Sequence, residues 1–293
     1  MNNINIHNAL KKYWGFKSFR TKQEAIINDV LIQKDTLALL PTGGGKSICY
    51  QIPALVKEGI CIVVSPLVAL MKDQTIKLQK RNIKAIAITG GLNQHELDIA
   101  LDNCIYGNIK LLYVSPERLE SDIVRERIKK MNVNLIAVDE AHCISEWGYD
   151  FRPSYLKIAE IRALKPESPI LALTATATKK VVKDIQDKLL FKKQNVIQNS
   201  FRRANLAYMA LEESHKSTRV HKILQKINGP AIIYVRNRKK TYEFSSELNK
   251  LGISSTYYHA GLSEDDKTSN QAKWMNNNTR VMVATNAFGM GID

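Results

Sequence analysis

Four cysteines in 293 residues, none at C-x-x-C spacing, supply no recognisable zinc or dithiol motif. Cys49, Cys61, Cys104 and Cys143 lie mostly in or beside apolar runs, so they read as reduced, largely buried thiols, and no zinc is expected. No run of eighteen apolar residues occurs, and residues 1–8 lack an apolar signal core; the expectation is a cytosolic protein with no membrane partner. Acidic side chains are the scarce charge, 28 against 43 basic ones, for a formal net charge of +15. The excess is shared, with 29 basic against 20 acidic residues over 1–199 and 14 against 8 over 200–293. Either a polyanionic partner or a solvated basic surface accounts for such a balance.

What is present is a pair of motifs about ninety residues apart. Pro41-Thr42-Gly43-Gly44-Gly45-Lys46-Ser47 follows a short apolar run and precedes an amphipathic stretch, the strand-to-helix context of a phosphate-binding loop. Leu40 stands where the strict G-x-x-x-x-G-K-[ST] pattern has its first glycine. Gly43, Gly44 and Gly45 can let backbone N–H groups approach phosphate oxygens, Lys46 can reach the β and γ phosphates of ATP, and the Ser47 hydroxyl suits Mg²⁺. Asp139-Glu140-Ala141-His142 ends a second apolar run. Asp139 is the expected Mg²⁺ partner, partly through water, and Glu140 the expected base for an attacking water. His142 is expected to reach either the γ phosphate or the loop Thr174-Ala175-Thr176, whose threonines become candidate coupling residues; a purely structural histidine is the alternative.

Apolar runs at 36–40, 60–65, 85–88, 110–114, 134–138 and 170–173 alternate with helical patterns, which predicts a parallel α/β sheet. After a polar connector at 199–205 the alternation restarts, with strands expected at 206–211, 231–235, 254–258 and 280–285. The predicted organisation is an ATP-binding domain over 1–199 and a second α/β domain over 200–293, the second incomplete at its C-terminus.

From about Leu10 to the last residue, the ordered motifs resemble those of RecQ-type DNA helicases of superfamily 2. Phe19-Arg20 with Gln23 is similar to the adenine-reading element, and Ser65-Pro66-Leu67 with Met71-Lys72-Asp73-Gln74 to the next signature. Ser115 to Leu119, Asp139 to Ser145, Trp147-Gly148, Asp150 to Pro153, Leu173 to Thr178, Ile232 to Tyr234, Tyr258 to Leu262 and Val283 to Thr285, continuing to Gly291, follow in family order. The resemblance implies two RecA-like P-loop domains with ATP at the cleft between them. It also implies single-stranded and partly duplex DNA as partner, 3′ to 5′ movement, monomeric action, roles in DNA repair and recombination, and association with the nucleoid if the source is bacterial.

By the same resemblance, Gln23 would pair with adenine, Arg20 would assist, and Phe16 would stack on the base unless it packs in the core. Ser145 to Pro153 is similar to the family's aromatic-rich loop, so Trp147, Phe151 and Arg152 would meet bases and phosphates, a core anchor being the alternative for the two aromatics. Glu146 and Tyr149 stand where relatives carry Gln and His. Ser65, Pro66, Ser115 and the Gly90-Gly91 pair would grip one DNA strand without reading sequence, although the glycines also suit a plain turn. The family's arginine-bearing motif would begin after Asp293, so weak turnover by a truncated chain is expected. A non-translocating, ATP-dependent nucleic-acid-binding module is the competing class; a small-molecule P-loop kinase leaves the basic second part unexplained.

Overall fold

A computed structural model describes residues 5–148, 150–200 and 205–289. The chain divides into two compact units, Met1–Arg203 and Ala204–Asp293, whereas the expected boundary lay at 199/200. Tyr149, Gly291 and Asp293, all named from the sequence, and residues 201–204 of the polar connector lie outside the described residues.

The first unit opens with α1 (Ile6–Trp14) and α2 (Gln23–Leu31). Strand and helix then alternate: β1 (Thr36–Leu39), α3 (Ile48–Val56), β2 (Ile60–Val64), α4 (Val68–Gln79), β3 (Ala85–Ile88), α5 (Gln94–Tyr106), β4 (Leu111–Val114), α6 (Asp122–Lys130) and β5 (Val133–Val138). The unit closes with α7 (Ile158–Leu164), β6 (Ile170–Thr174), α8 (Lys179–Lys188) and β7 (Val196–Gln198). Its seven strands pair in the order β3-β4-β2-β5-β6-β1-β7, every pair parallel. Such a sheet needs cover on both faces, and the strands supply it by alternation. Leu37, Leu39, Ile136 and Val138 enter one core, while Ala38, Leu40, Leu135 and Ala137 enter the opposite one.

Register fixes where the candidate chemistry falls. Leu39 of β1 lies beside Thr174 of β6, and Val138 of β5 beside Ala172 of the same strand. The loops after β1, β5 and β6 therefore leave one carboxyl edge as near neighbours, the usual ligand edge of open α/β sheets. A buried ion pair braces the opposite edge. Arg162 donates to both Asp35 oxygens at 2.8 and 2.9 Å, and the N–H groups of Ile170 and Lys192 donate to the same carboxylate. Burial alone pushes the Asp35 carboxyl up, yet the hydrogen bonds from Arg162, Lys192 and Ile170 win and hold it below its ordinary value.

The second unit contains α9 (Lys216–Lys226), β8 (Ala231–Tyr234), α10 (Arg238–Lys250), β9 (Ser255–Tyr258), α11 (Glu264–Met275) and β10 (Val281–Ala284). Its parallel sheet runs β8-β10-β9. Central β10 is fully buried, with Val281 and Val283 packed on Leu224 and Leu248, and Met282 and Ala284 on Phe288 across the sheet.

Two expectations change. Residues 206–211 form no strand: Tyr208 and Met209 are more than four-fifths exposed. An apolar run favours extension, but a strand also needs a neighbour for its backbone groups, and this stretch has none among the described residues. Conversely, Val196–Gln198, unmarked in the sequence by any apolar run, pairs with β1 as an edge strand. No helix among the described residues is long and apolar enough to cross a membrane.

Candidate nucleotide and nucleic-acid site

The glycine loop leaves β1 and enters α3 at Ile48. Gly43 and Gly45 both adopt φ +72°, and a Cβ at Gly45 would lie 2.4 Å from the Gln23 amide nitrogen. At Gly44 it would lie 2.7 Å from the Pro41 carbonyl oxygen, so the loop's path requires glycine. Gln23 clasps it from α2: its amide donates to the Gly44 and Gly45 carbonyls at 3.3 and 3.0 Å, and its oxygen accepts from the Arg20 N–H at 2.8 Å. The Arg20 guanidinium donates to the Gly43 carbonyl. Because C=O and N–H point oppositely across a trans peptide, the N–H groups of Gly45 and Lys46 face away from Gln23. Beside the clasp lies a cavity of about 330 Å³ lined by Phe16, Arg20, Gln23, Gly45 and Ile48. Phe16 is half exposed, while Gln23 is buried.

Asp139 and Glu140 follow β5. The Asp139 N–H donates to the Val64 carbonyl, the buried Tyr155 hydroxyl donates to the Asp139 carbonyl, and the Asp139 carboxylate accepts from the Glu140 N–H. Glu140 sits at φ +47°, ψ +45°, a left-handed conformation that costs a residue with a Cβ on the order of 1–2 kcal/mol. Buried Tyr50 is a neighbour common to Ser47 and Asp139. Burial pushes its phenol well up, the charges of Tyr113 and Asp139 add to that, and a hydrogen bond with Ser47 opposes it.

His142 joins this edge to the next loop. Its Nδ1 lies 2.9 Å from the Thr174 hydroxyl and 3.4 Å from a Glu140 carboxylate oxygen. The Thr174 hydroxyl donates to the Thr176 carbonyl and accepts from the Thr176 N–H, both at 3.2 Å. A proton on Nδ1 satisfies this arrangement, because the carboxylate can only accept. Burial holds the His142 pKa below its ordinary value against the opposing pull of Glu140 and Asp150, and the positive charge of Lys46 adds to the lowering. At neutral pH the imidazole is therefore neutral and bridges Glu140 to the Thr174–Thr176 loop.

The segment from Ser145 to Pro153 projects from the same edge. Trp147 is 62% exposed and Phe151 only partly so. The Arg152 N–H donates to the Cys143 carbonyl at 2.8 Å, while its guanidinium donates to the Pro66 carbonyl and pairs with Asp150. Cys143, its thiol pushed up to about 12 mainly by burial, donates to Asp150. Ser65 carries a buried hydroxyl without a hydrogen-bond partner among the described residues, and Ser115 is buried at the end of β4. Gly90 and Gly91 are exposed with open space around them. Arg118, which the sequence offered only as part of a motif, donates to the Thr89 carbonyl and ties the loop bearing those glycines to the Ser115 turn.

One carboxyl edge thus carries a glycine cradle with a lysine, a pair of acids, a histidine relay and an exposed indole. A polyphosphate with a hard cation fits that donor set: Gly45 and Lys46 offer N–H groups, Lys46 a positive charge, and Ser47 and Asp139 oxygen ligands. The helicase family described as DEAD/DEAH box helicase matches residues 20–185, over half of the chain. The chain belongs to the DEAD/DEAH box helicases.

The helicase conserved C-terminal domain matches residues 215–293. Its sequence is similar to those of RecQ and RecS helicases. It is 40% identical over 295 residues to the probable ATP-dependent DNA helicase RecS of Bacillus subtilis, covering 98% of this chain and 59% of that protein. Identity to the ATP-dependent DNA helicase RecQ of the same organism is 41% over 294 residues, covering 98% and 50%. The chain thus spans between half and three-fifths of the length of these curated relatives. Solved helicases share its two-part α/β fold. Mycobacterium smegmatis Lhr bound to single-stranded DNA and AMP-PNP superposes with TM-score 0.70 at 18% identity, covering 95% of this chain and 41% of that one. MrfA bound to DNA gives 0.77 at 17% identity, covering 100% and 43%.

Proposed function

We propose that this chain is the ATP-driven core of a RecQ-type DNA helicase, with residues 1–199 as the nucleotide-binding RecA-like domain and 200–293 as the second. The observation that carries the reading is the relay Glu140–His142–Thr174–Thr176, which ties a candidate base to the loop preceding α8. The relatives' DNA-helicase names and the net charge of +15 support a DNA partner.

In this reading Lys46 holds the β and γ phosphates of ATP, and Ser47 and Asp139 hold Mg²⁺, which supplies charge neutralisation when bound. Glu140 orients water and takes its proton; its left-handed backbone, pinned between the Asp139 carboxylate and the Tyr155 bond, fixes where that carboxylate points. His142 donates toward Glu140 and Thr174, so a change at one is felt at the other. Phe16, Arg20 and Gln23 surround the base, which occupies the cavity beside the clasp. Trp147 and Phe151 offer faces to DNA bases, and Arg152 with the Ser65, Pro66 and Ser115 segments grips the backbone of a single strand beside duplex. Movement is 3′ to 5′, by a monomer.

Single-turnover ATP hydrolysis, with and without oligo-dT, tests the proposal on this chain. DNA is expected to raise the rate, and Glu140→Gln to bind ATP as the parent does while hydrolysing at least about 100-fold more slowly, as for loss of a general base. ATP binding and hydrolysis both indifferent to DNA would overturn the helicase reading, and parental hydrolysis by Glu140→Gln would remove Glu140 as the base.

A further inference from the structure

Helix α8 begins directly after the Thr174–Thr176 loop, with Thr178 as its side-chain cap, and sets Lys180, Asp184 and Lys188 on one face at i, i+4 and i+8. That face meets the aromatic segment. Lys180 Nζ sits over the Trp147 ring, 2.9 Å from its centroid. Lys188 Nζ donates to the Ile144 carbonyl at 3.2 Å, pairs with Glu146 and Asp184 at 3.5 Å each, and lies 5.6 Å from the Phe151 centroid. One lysine anchors the root of the segment. The other covers the indole that a base would use.

We propose that Lys180 is a positioning residue that guards Trp147: in the DNA-free chain its ammonium occupies the ring face on which a base stacks, and DNA binds by displacing it. The proposal rests on the reading of Trp147 as a stacking platform. An ammonium over an exposed indole shifts a population by roughly 2- to 5-fold. Stacking of a base on an aromatic side chain shifts it by roughly 5- to 150-fold. The base therefore wins, but against a standing competitor. Because α8 starts three residues beyond Thr176, whose loop hydrogen-bonds His142, a shift at Glu140 reaches the guard through one rigid helix. The nucleotide state would thus set how readily the platform is uncovered.

The guard and an ordinary phosphate contact predict opposite signs. Binding of a fluorescein-labelled oligo-dT to this chain, measured over a salt series high enough to screen long-range attraction, separates them. Lys180→Ala is expected to tighten binding 2- to 5-fold with an unchanged salt slope, and to have no effect in a Trp147→Ala background. Weaker binding by Lys180→Ala, with the slope reduced by about one, would make Lys180 a phosphate contact and overturn the guard while leaving the platform intact. Parental affinity in Trp147→Ala would remove the platform itself and the guard with it. Thermal unfolding of each variant establishes that the fold is retained, as expected for two exposed side chains.

Discussion

His142 titrates in surroundings that disfavour its cation, and this gives the first unit an acid sensitivity of definite sign. Its folded pKa is depressed, chiefly by burial, below the roughly 6.5 of an unfolded chain. Above that value the ring is neutral in both states. As pH falls through it toward the folded pKa, the unfolded chain takes up the proton first, so stability is lost. Urea midpoints are therefore expected to fall between pH 7.5 and 5.5, and to fall less in His142→Gln; an equal fall in both proteins would assign the sensitivity elsewhere. At this scale the sequence marked Lys46, Asp139 and Glu140 as candidates because each belongs to a contiguous motif whose spacing suits the proposed chemistry. It did not reveal the clasp, since nothing local to Gln23 says that its amide meets carbonyls more than twenty residues on. Nor did it reveal Asp35 with Arg162, partners brought together only by the folded sheet.

Strands announce themselves by composition only when both faces are buried. Residues 36–39, 60–64, 111–114 and 133–138 were legible as apolar runs for that reason. β7 was not, because an edge strand flanked by Lys192, Lys193 and Gln194 needs no such run. At 206–211 the difference ran the other way: an apolar run says nothing about whether a neighbouring strand exists to bond the backbone. Hydrogen exchange reads the difference directly. Amides at 281–284, flanked on both sides, are expected to exchange far more slowly than those at 206–211, which should label at the earliest time points. Equal protection would mean that the 206–211 stretch finds a strand partner in solution.

The two units differ in how much apolar surface they close over. The first carries a seven-stranded sheet between two large cores, the second three strands with small clusters on either face. Burial of apolar area is the main favourable term in folding, so calorimetry is expected to resolve two transitions with the second unit melting first. A single transition unaltered by Leu248→Ala, a substitution costing about 2–5 kcal/mol in a core, would contradict independent melting. The alternation of strand and helix made this architecture legible, whereas the difference between the cores depends on how many strands each sheet assembles.

The place of β1 also bears on how the protein is made. It is the first strand in the sequence, yet its neighbours are β6 and β7, so Leu37 waits for Ala172 on one side and Val196 on the other. At about 5–20 residues per second a ribosome needs roughly 8–30 s to deliver that second partner. Through most of that interval the strand that launches the glycine loop has neither neighbour, and until its end it lacks one of the two, so the loop lacks the support that fixes its shape. The glycine loop, encoded well ahead of β6 and β7, is therefore among the last features of its unit to gain its support, and a nucleotide proposed to bind there cannot template the earlier stages of synthesis.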